Sequence, residues 1–510
     1  MNPRPISATP GDEEGVLDAF RATRRRDVRR AFLWRFGEGV GLEFSSFVFF
    51  MALSRLLMPG AFGIVSVAGT IIHGFRVMLI GGFGPALLQK AELDPEHFTA
   101  AFWANFAMGA AGALAVTFLA WPLSITQGKA ELLPLLVALS PMPMVTSATW
   151  IYQAHLKRHL RYDITALSSL ASIGVGGTIG VALAYGGAGA WSLVGQQLSG
   201  AATGLLILVL CSSWHPGASM SGRHLRELAW FAGKSGASGI LEFLGGRVDA
   251  LILGFFLSAY TIGIYFVAAR VPGMVMGTML WVCYDLVIAV LPRFSQGTPA
   301  FREAAYRALQ FSLLLSFSAF IGMAVVAGNM VPLLLGPAWN GAVHPLQILC
   351  LSSIAYTFVL IGRQILNAAG CAGTSLVITA VNAVLYFVAM LIAAPRGLNA
   401  AAAAGGIASS LCVPIVVVAL RWKLGLHIRR MLSDQVPIWG ATLLMAGSVS
   451  LLGQTIPAGT NGVGLLAALL AKVAVGVVVF AGAVWLLAPY VFRELLAWAG
   501  LPVSRESRAS

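Results

Sequence analysis

Charge is what this sequence has least of. Only 10% of its residues are Asp, Glu, Lys or Arg, against about 25% in an ordinary soluble chain. So thin a supply cannot cover the water-exposed surface of 510 residues, and a soluble globular protein is excluded. Cysteine is sparse as well. Cys211, Cys283, Cys350, Cys371 and Cys412 stand apart with no CxxC pair, which leaves neither a metal site nor a disulfide framework and makes them small apolar fillers. No Walker A, HExxH or GxSxG pattern is present, so nothing points to ATP-driven work or to these hydrolytic chemistries. No catalytic residue, metal or cofactor is expected. A signal peptide is missing too: Met1–Arg30 is polar, and RATRRRDVRR (21–30) leaves no room for an early apolar core.

What is there is apolar. Hydrophobic residues make up 58% of the chain, in successive runs of about 20 residues, each long enough to cross a bilayer as a helix. Glycine numbers 57, and small residues let membrane helices pack closely. The runs predict an all-α polytopic membrane protein with about fourteen spans. Six fall near 33–56, 62–86, 99–122, 132–152, 164–185 and 189–210, and six more near 229–257, 262–291, 306–328, 343–366, 374–395 and 398–420. The last two fall near 437–456 and 463–489. The expected organisation is a basic tail (1–30), a first lobe (31–210), a linker (211–228), a second lobe (229–421), a basic connector (422–436), two further spans (437–490) and a closing tail (491–510). With the N-terminus inside, 24 Lys and Arg fall in inner segments, while the outer side keeps Lys129 and Arg396, with Arg55 near a span end. This asymmetry places both termini in the cytoplasm. The net charge of +13 suits anionic lipid headgroups along the inner surface, not nucleic acid.

The chain also repeats itself. AFGIVSVA (61–68) resembles TIGIYFVA (261–268), with Gly63, Ile64, Val67 and Ala68 matching Gly263, Ile264, Val267 and Ala268 at an offset of 200. GAGAWSLVGQQLSG (187–200) and GLNAAAAAGGIASS (397–410) likewise open corresponding spans. Six spans separate each pair, so the two copies share one orientation, as in two lobes related by an axis along the membrane normal.

Ionisable residues inside the spans concentrate in the first two helices of each lobe. The first lobe has Arg35, Glu38, Glu43, His73 and Arg76; the second has Lys234, Glu242, Arg247, Asp249, Arg270 and Asp285. Arg363 ends the tenth span, and Lys472 lies in the last. Glu242 and Asp249 are seven residues apart and share a helix face. Charges at such depth normally face a bundle interior or a water-filled cavity, so the common account is a hydrated chamber between the lobes. A structural ion pair of Arg247 with Asp249 near the outer end of its span, and snorkelling of Arg35 and Arg363 to the inner interface, are the alternatives for those residues.

In order and spacing, SRLLMPGAFGIVSVA (54–68), GGFGPALLQKAELDPEHFTAAFWAN (81–105), QAHLKRHLRYD (153–163), GAWSLVGQQL (189–198), RVDALILGFFLSAYTIGIYFVAAR (247–270), VLPRFSQ (290–296) and VPLLLGPAWNGAVHPLQIL (331–349) resemble the polysaccharide-transporter, Wzx- and WzxC-like branch of the MOP flippase superfamily. Asp249, Gly263 and Tyr265 hold the places of an Asp followed by a GxY element in such relatives; SAY (258–260) departs from their usual loop-ending glycine. The resemblance implies a two-lobed flippase that moves a glycan on a polyprenyl diphosphate to the outer leaflet by alternating access, for lipopolysaccharide, capsule or exopolysaccharide synthesis, beside a polysaccharide polymerase or export machinery. Arg76, Lys234, Arg270, Arg35 and Arg363 would then be the substrate-binding cations, and Glu242, Glu43 and Asp285 the ion-coupling groups. The competing expectations are a cation-coupled multidrug-type exporter of the same superfamily and a membrane scaffold without transport.

Overall fold

The computed structural model describes residues 41–80, 94–159, 161–217, 249–277, 291–294, 298–455 and 462–489, with single positions at 83, 87, 222, 227, 283 and 287. Arg35, Lys234, Glu242, Arg247 and Asp285 therefore lie outside the described residues.

Among the described residues regular structure is wholly helical. The first half holds α1 (41–56), α2 (Pro59–Ile80), α3 (Pro95–Thr126), α4 (Leu132–Leu139), α5 (Met142–Arg158), α6 (Tyr162–Tyr185) and α7 (Ala190–Cys211). The second half holds α8 (Asp249–Phe256), α9 (Ala259–Val275), α10 (Pro299–Leu334), α11 (Val343–Ala368), α12 (Ala372–Ala393) and α13 (Leu398–Leu424). A short α14 (Ile428–Ser433) leads to α15 (Val436–Thr455) and α16 (Gly462–Leu487). Eleven described segments are long and apolar enough to cross a membrane, which makes this a multi-pass membrane protein.

Local chemistry sets the ends. α9 starts at Ser258, whose hydroxyl accepts from the Thr261 N–H at 3.3 Å. α10 starts at Thr298, which accepts from the Phe301 N–H at 3.2 Å, with Pro299 in the first turn. Both are side-chain caps of otherwise orphan helix donors. α13 stops at Gly425, whose φ of 68° is a left-handed conformation that glycine takes without strain. The span expected at 132–152 is broken at Ser140–Pro141 into α4 and α5, because Pro141 supplies no N–H to continue the ladder. The connector expected at 422–436 is partly helical, at its start through α13 and again in α14.

Packing follows two groups. In the first half α3 packs on α4 and α5, α6 on α7, and α2 on α3, α5 and α7. Hydroxyls tie α6 to α7, with Ser168 and Ser172 donating to the carbonyls of Gly204 and Gly200 at 2.8 and 2.7 Å. Close backbones of this kind need small residues at the contact. In the second half α11 packs on α9, α10 and α13, and α12 on α13. α15 and α16 pack on each other and on α10. Lys472 of α16 donates to Asn329 Oδ1 of α10 at 2.6 Å, which satisfies the lysine far from any loop.

Candidate functional site

The two halves meet where α2 crosses α9, near the N-terminal ends of both helices. Gly63 and Gly263 face each other there. A Cβ on Gly63 would land on the carbonyl oxygen of Ala259, and one on Gly263 on that of Pro59. Only glycine lets two backbones approach so closely, so the residues that carry the sequence repeat also make the contact.

Away from the crossing burial relaxes. On α2 every residue from Phe62 to Ala68 is buried, whereas Gly69, Thr70 and His73 are half-buried and Arg76 is exposed. On α9 burial likewise relaxes from Ile262–Tyr265 to Gly273. Residues seven apart on a helix share a face. Thr70 therefore continues the Gly63 face of α2, and Arg270 and Gly277 continue the Gly263 face of α9. These faces bound a wedge, closed at the crossing and lined beyond it by the half-buried Thr70, Arg270 and Gly277.

Two charged residues expected at the site, Arg270 and Glu43, stand beside this wedge. Arg270 donates from Nη2 to the Ser46 hydroxyl of α1 at 3.0 Å, a bond between the halves. Glu43 lies on α1 three residues before Ser46. One of its carboxylate oxygens is buried with no hydrogen-bond partner among the described residues, and the other stands 3.9 Å from where a Cβ on Gly277 would sit. Arg76 is exposed on another side of α2, its guanidinium 2.8 Å from His73 Nδ1. Arg363 is placed differently. It adjoins Cys412 of α13 within the second half, and its Nε is buried without a partner.

Asp249 bonds to Tyr265. The Tyr265 hydroxyl donates to Asp249 Oδ2 at 3.0 Å, with Tyr386 of α12 beside it. This links α8, α9 and α12 within the second half and joins the Asp to the Tyr of the GxY element. The Arg247 partner expected from the sequence lies outside the described residues.

The sealed end carries contacts that sequence reasoning did not assign. The Trp339 indole, fully buried in the 3-10 turn Pro337–Ala342, donates to the Ser54 carbonyl at 2.7 Å. Its ring stands edge-on to Phe62 at 5.3 Å. Arg55 reaches the last turn of α10, donating from Nε to Leu334 O at 3.1 Å and from Nη2 to Leu333 O. Lys129 donates to Gly254 O, and burial lowers its ammonium pKa below the ordinary lysine value. Two of these three were visible in the sequence as rare cations on the sparsely charged side, and Trp339 lies in one of the blocks shared with the family. Among the described residues no cluster of His, Cys, Asp or Glu could hold a metal ion.

The described residues thus form helices only, in two groups of packed spans that meet where α2 crosses α9. Residues 52–344 match the profile of a family described as polysaccharide biosynthesis protein, and the chain belongs to that family. It is 24% identical over 311 residues to the lipopolysaccharide biosynthesis protein WzxC of Escherichia coli K12, covering 58% of this chain and 61% of that one. It is 25% identical over 327 residues to the succinoglycan biosynthesis transport protein ExoT of Rhizobium meliloti, covering 64% and 66%. The matched stretch thus spans somewhat under two thirds of these relatives. The fold is that of the lipid II flippase MurJ in its inward closed conformation, with a TM-score of 0.71 and 13% identity over 90% of this chain and 99% of that one. An inward-facing multidrug resistance MATE transporter of the MOP superfamily shares it at a TM-score of 0.60 and 13% identity, over 76% and 98%.

Proposed function

We propose that this chain is a flippase for lipid-linked polysaccharide precursors, seated in the bacterial inner membrane with both termini in the cytoplasm. Its lobes are taken as residues 31–210 and 229–421, with the spans of 437–490 as an added pair. The cargo is a glycan on a polyprenyl diphosphate, moved from the inner to the outer leaflet for assembly of a surface polysaccharide, and a polymerase or export machinery would take it next. The observation that carries this reading is the wedge: it is closed where α2 meets α9, and Arg270 and Glu43 stand beside it further along. An anionic headgroup cannot cross about 30 Å of hydrocarbon unaided. Guanidinium groups can replace its hydration through bidentate phosphate contacts, while the lipid tail stays in the bilayer beside the wedge. Rocking the halves about the crossing would expose the wedge to each side in turn. Family membership and the relatives' roles in lipopolysaccharide and succinoglycan biosynthesis support the cargo class.

Within this reading Arg270, Arg76, Lys234, Arg35 and Arg363 are the cargo-binding cations, and Glu43, Glu242 and Asp285 carry a coupling proton or cation. Glu43 has support in the structure, since its buried, unpartnered carboxylate oxygen suits a proton or a bound ion. Export of surface polysaccharide, measured against protein level, tests the reading. Losing one charge-assisted phosphate contact costs about 1.5–3 kcal/mol, so Arg270→Ala should cut export at least tenfold with the protein still abundant. Wild-type export from Arg270→Ala and Arg76→Ala alike would overturn it.

A further inference from the structure

Three side chains cross between the halves at the sealed end, and each stops on a backbone carbonyl of the other half. Arg55 of the first half reaches Leu333 and Leu334, Lys129 of the first half reaches Gly254, and Trp339 of the second half reaches Ser54. Together they surround the Gly63–Gly263 crossing. Trp339 fills the gap beside it, stacked edge-on to Phe62, which is itself edge-on to Phe50 at 5.9 Å. We infer that this ring is the outer gate of the transporter: a latch of Arg55, Lys129 and Trp339 closing over a Gly63–Gly263 pivot. The inference rests on the alternating-access reading above and adds the device that holds its outer end shut.

The chemistry of the acceptors is what makes the ring a latch. The two cations end on neutral carbonyls, and neither Arg55 nor Lys129 forms an ion pair with a described carboxylate. A donor on a neutral carbonyl exchanges for water at small net cost, whereas breaking a desolvated ion pair leaves costly stranded charges. The ring therefore closes specifically, yet releases without stranding a charge. Arg55 also caps the C-terminal carbonyls of α10, where a cation opposes the negative end of the helix dipole. The pivot is steric. With no side chain at 63 or 263 the backbones touch, and any side chain there holds the halves apart.

Cysteine accessibility tests this without reference to cargo. In a cysteine-free background Thr70→Cys places a thiol seven residues inward of Gly63 on the same face. Intact cells are treated with a membrane-impermeant maleimide, and Ser258→Cys in the outer loop reports correct insertion. With the ring intact Thr70→Cys should react slowly. Adding Arg55→Ala with Lys129→Ala should raise its rate at least fivefold, and so should Gly63→Val. If Gly63→Val does not accumulate, the Arg55/Lys129 pair of substitutions decides alone. Equal reactivity with the ring intact and broken would overturn the latch, as would protection that survives every ring substitution. Faster labelling together with undiminished polysaccharide export from the same variants would keep the latch and sink the transport reading.

Discussion

At the scale of single residues, the Tyr265–Asp249 bond shows how the second half holds its first two helices together. Both groups sit inside an apolar bundle, and Tyr265 is 4% exposed. Losing one hydrogen bond to a charged group costs about 1.5–3 kcal/mol. Tyr265→Phe is thus expected to lower the thermal midpoint of the detergent-solubilised protein without blocking export in the fraction that folds; a midpoint equal to wild type would mean that Asp249 finds another donor. Lys472 and Asn329 make a sharper case, because the partner was invisible in the sequence. Lys472→Met should destabilise by stranding Asn329, and adding Asn329→Leu should recover most of the loss, since replacing both partners by apolar groups is close to neutral. A double variant no more stable than the single one, in the same melting experiment, would show that the pair does not act as a unit.

At the scale of elements, α15 and α16 are fastened to α10 in two chemically different ways. Near the N-terminus of α10, Glu303 accepts from Arg307 at 3.1 Å and from Arg430 at 2.6 Å, and Arg430 lies 4.5 Å over the Tyr306 ring. These groups are half-exposed, and exposed ion pairs contribute about 0–1 kcal/mol. Glu303→Gln should therefore shift the melting midpoint less than Lys472→Met does, and the reverse order would mean that the charged cluster is the main fastening. Much of this level could be read from the sequence. Hydrophobic run length placed the spans, and the matching blocks at 61–68 and 261–268 marked the two helices that cross. What stayed hidden has physical reasons. The break at Ser140–Pro141 lies inside an unbroken apolar run, where hydropathy carries no signal. Arg55 and Lys129 served only as markers of orientation, because their partners are backbone carbonyls, and every residue supplies one. Arg363 reads from the sequence only as the end of a span, at the chamber or at the inner interface, and its place beside Cys412 shows only in packing.

At the scale of the whole molecule, the proposed orientation is open to a direct check. A single cysteine at Ser258 should react with an impermeant reagent on intact cells, and one at Arg158 only after permeabilisation; labelling of Arg158→Cys in intact cells would break the fourteen-span topology. One helix then gains a meaning beyond its contacts. α10 runs 36 residues, about 54 Å at 1.5 Å per residue, well beyond the thickness of hydrocarbon. Its far tip is held by Arg55 just past Pro332, where the missing N–H loosens the last turn. In the proposed transport cycle it would act as a lever with a softened fulcrum: a swing of about ten degrees there would carry Glu303, some 30 residues away, through roughly 8 Å. A shift of under about 1 Å at the tip would thus be magnified more than tenfold at the other end.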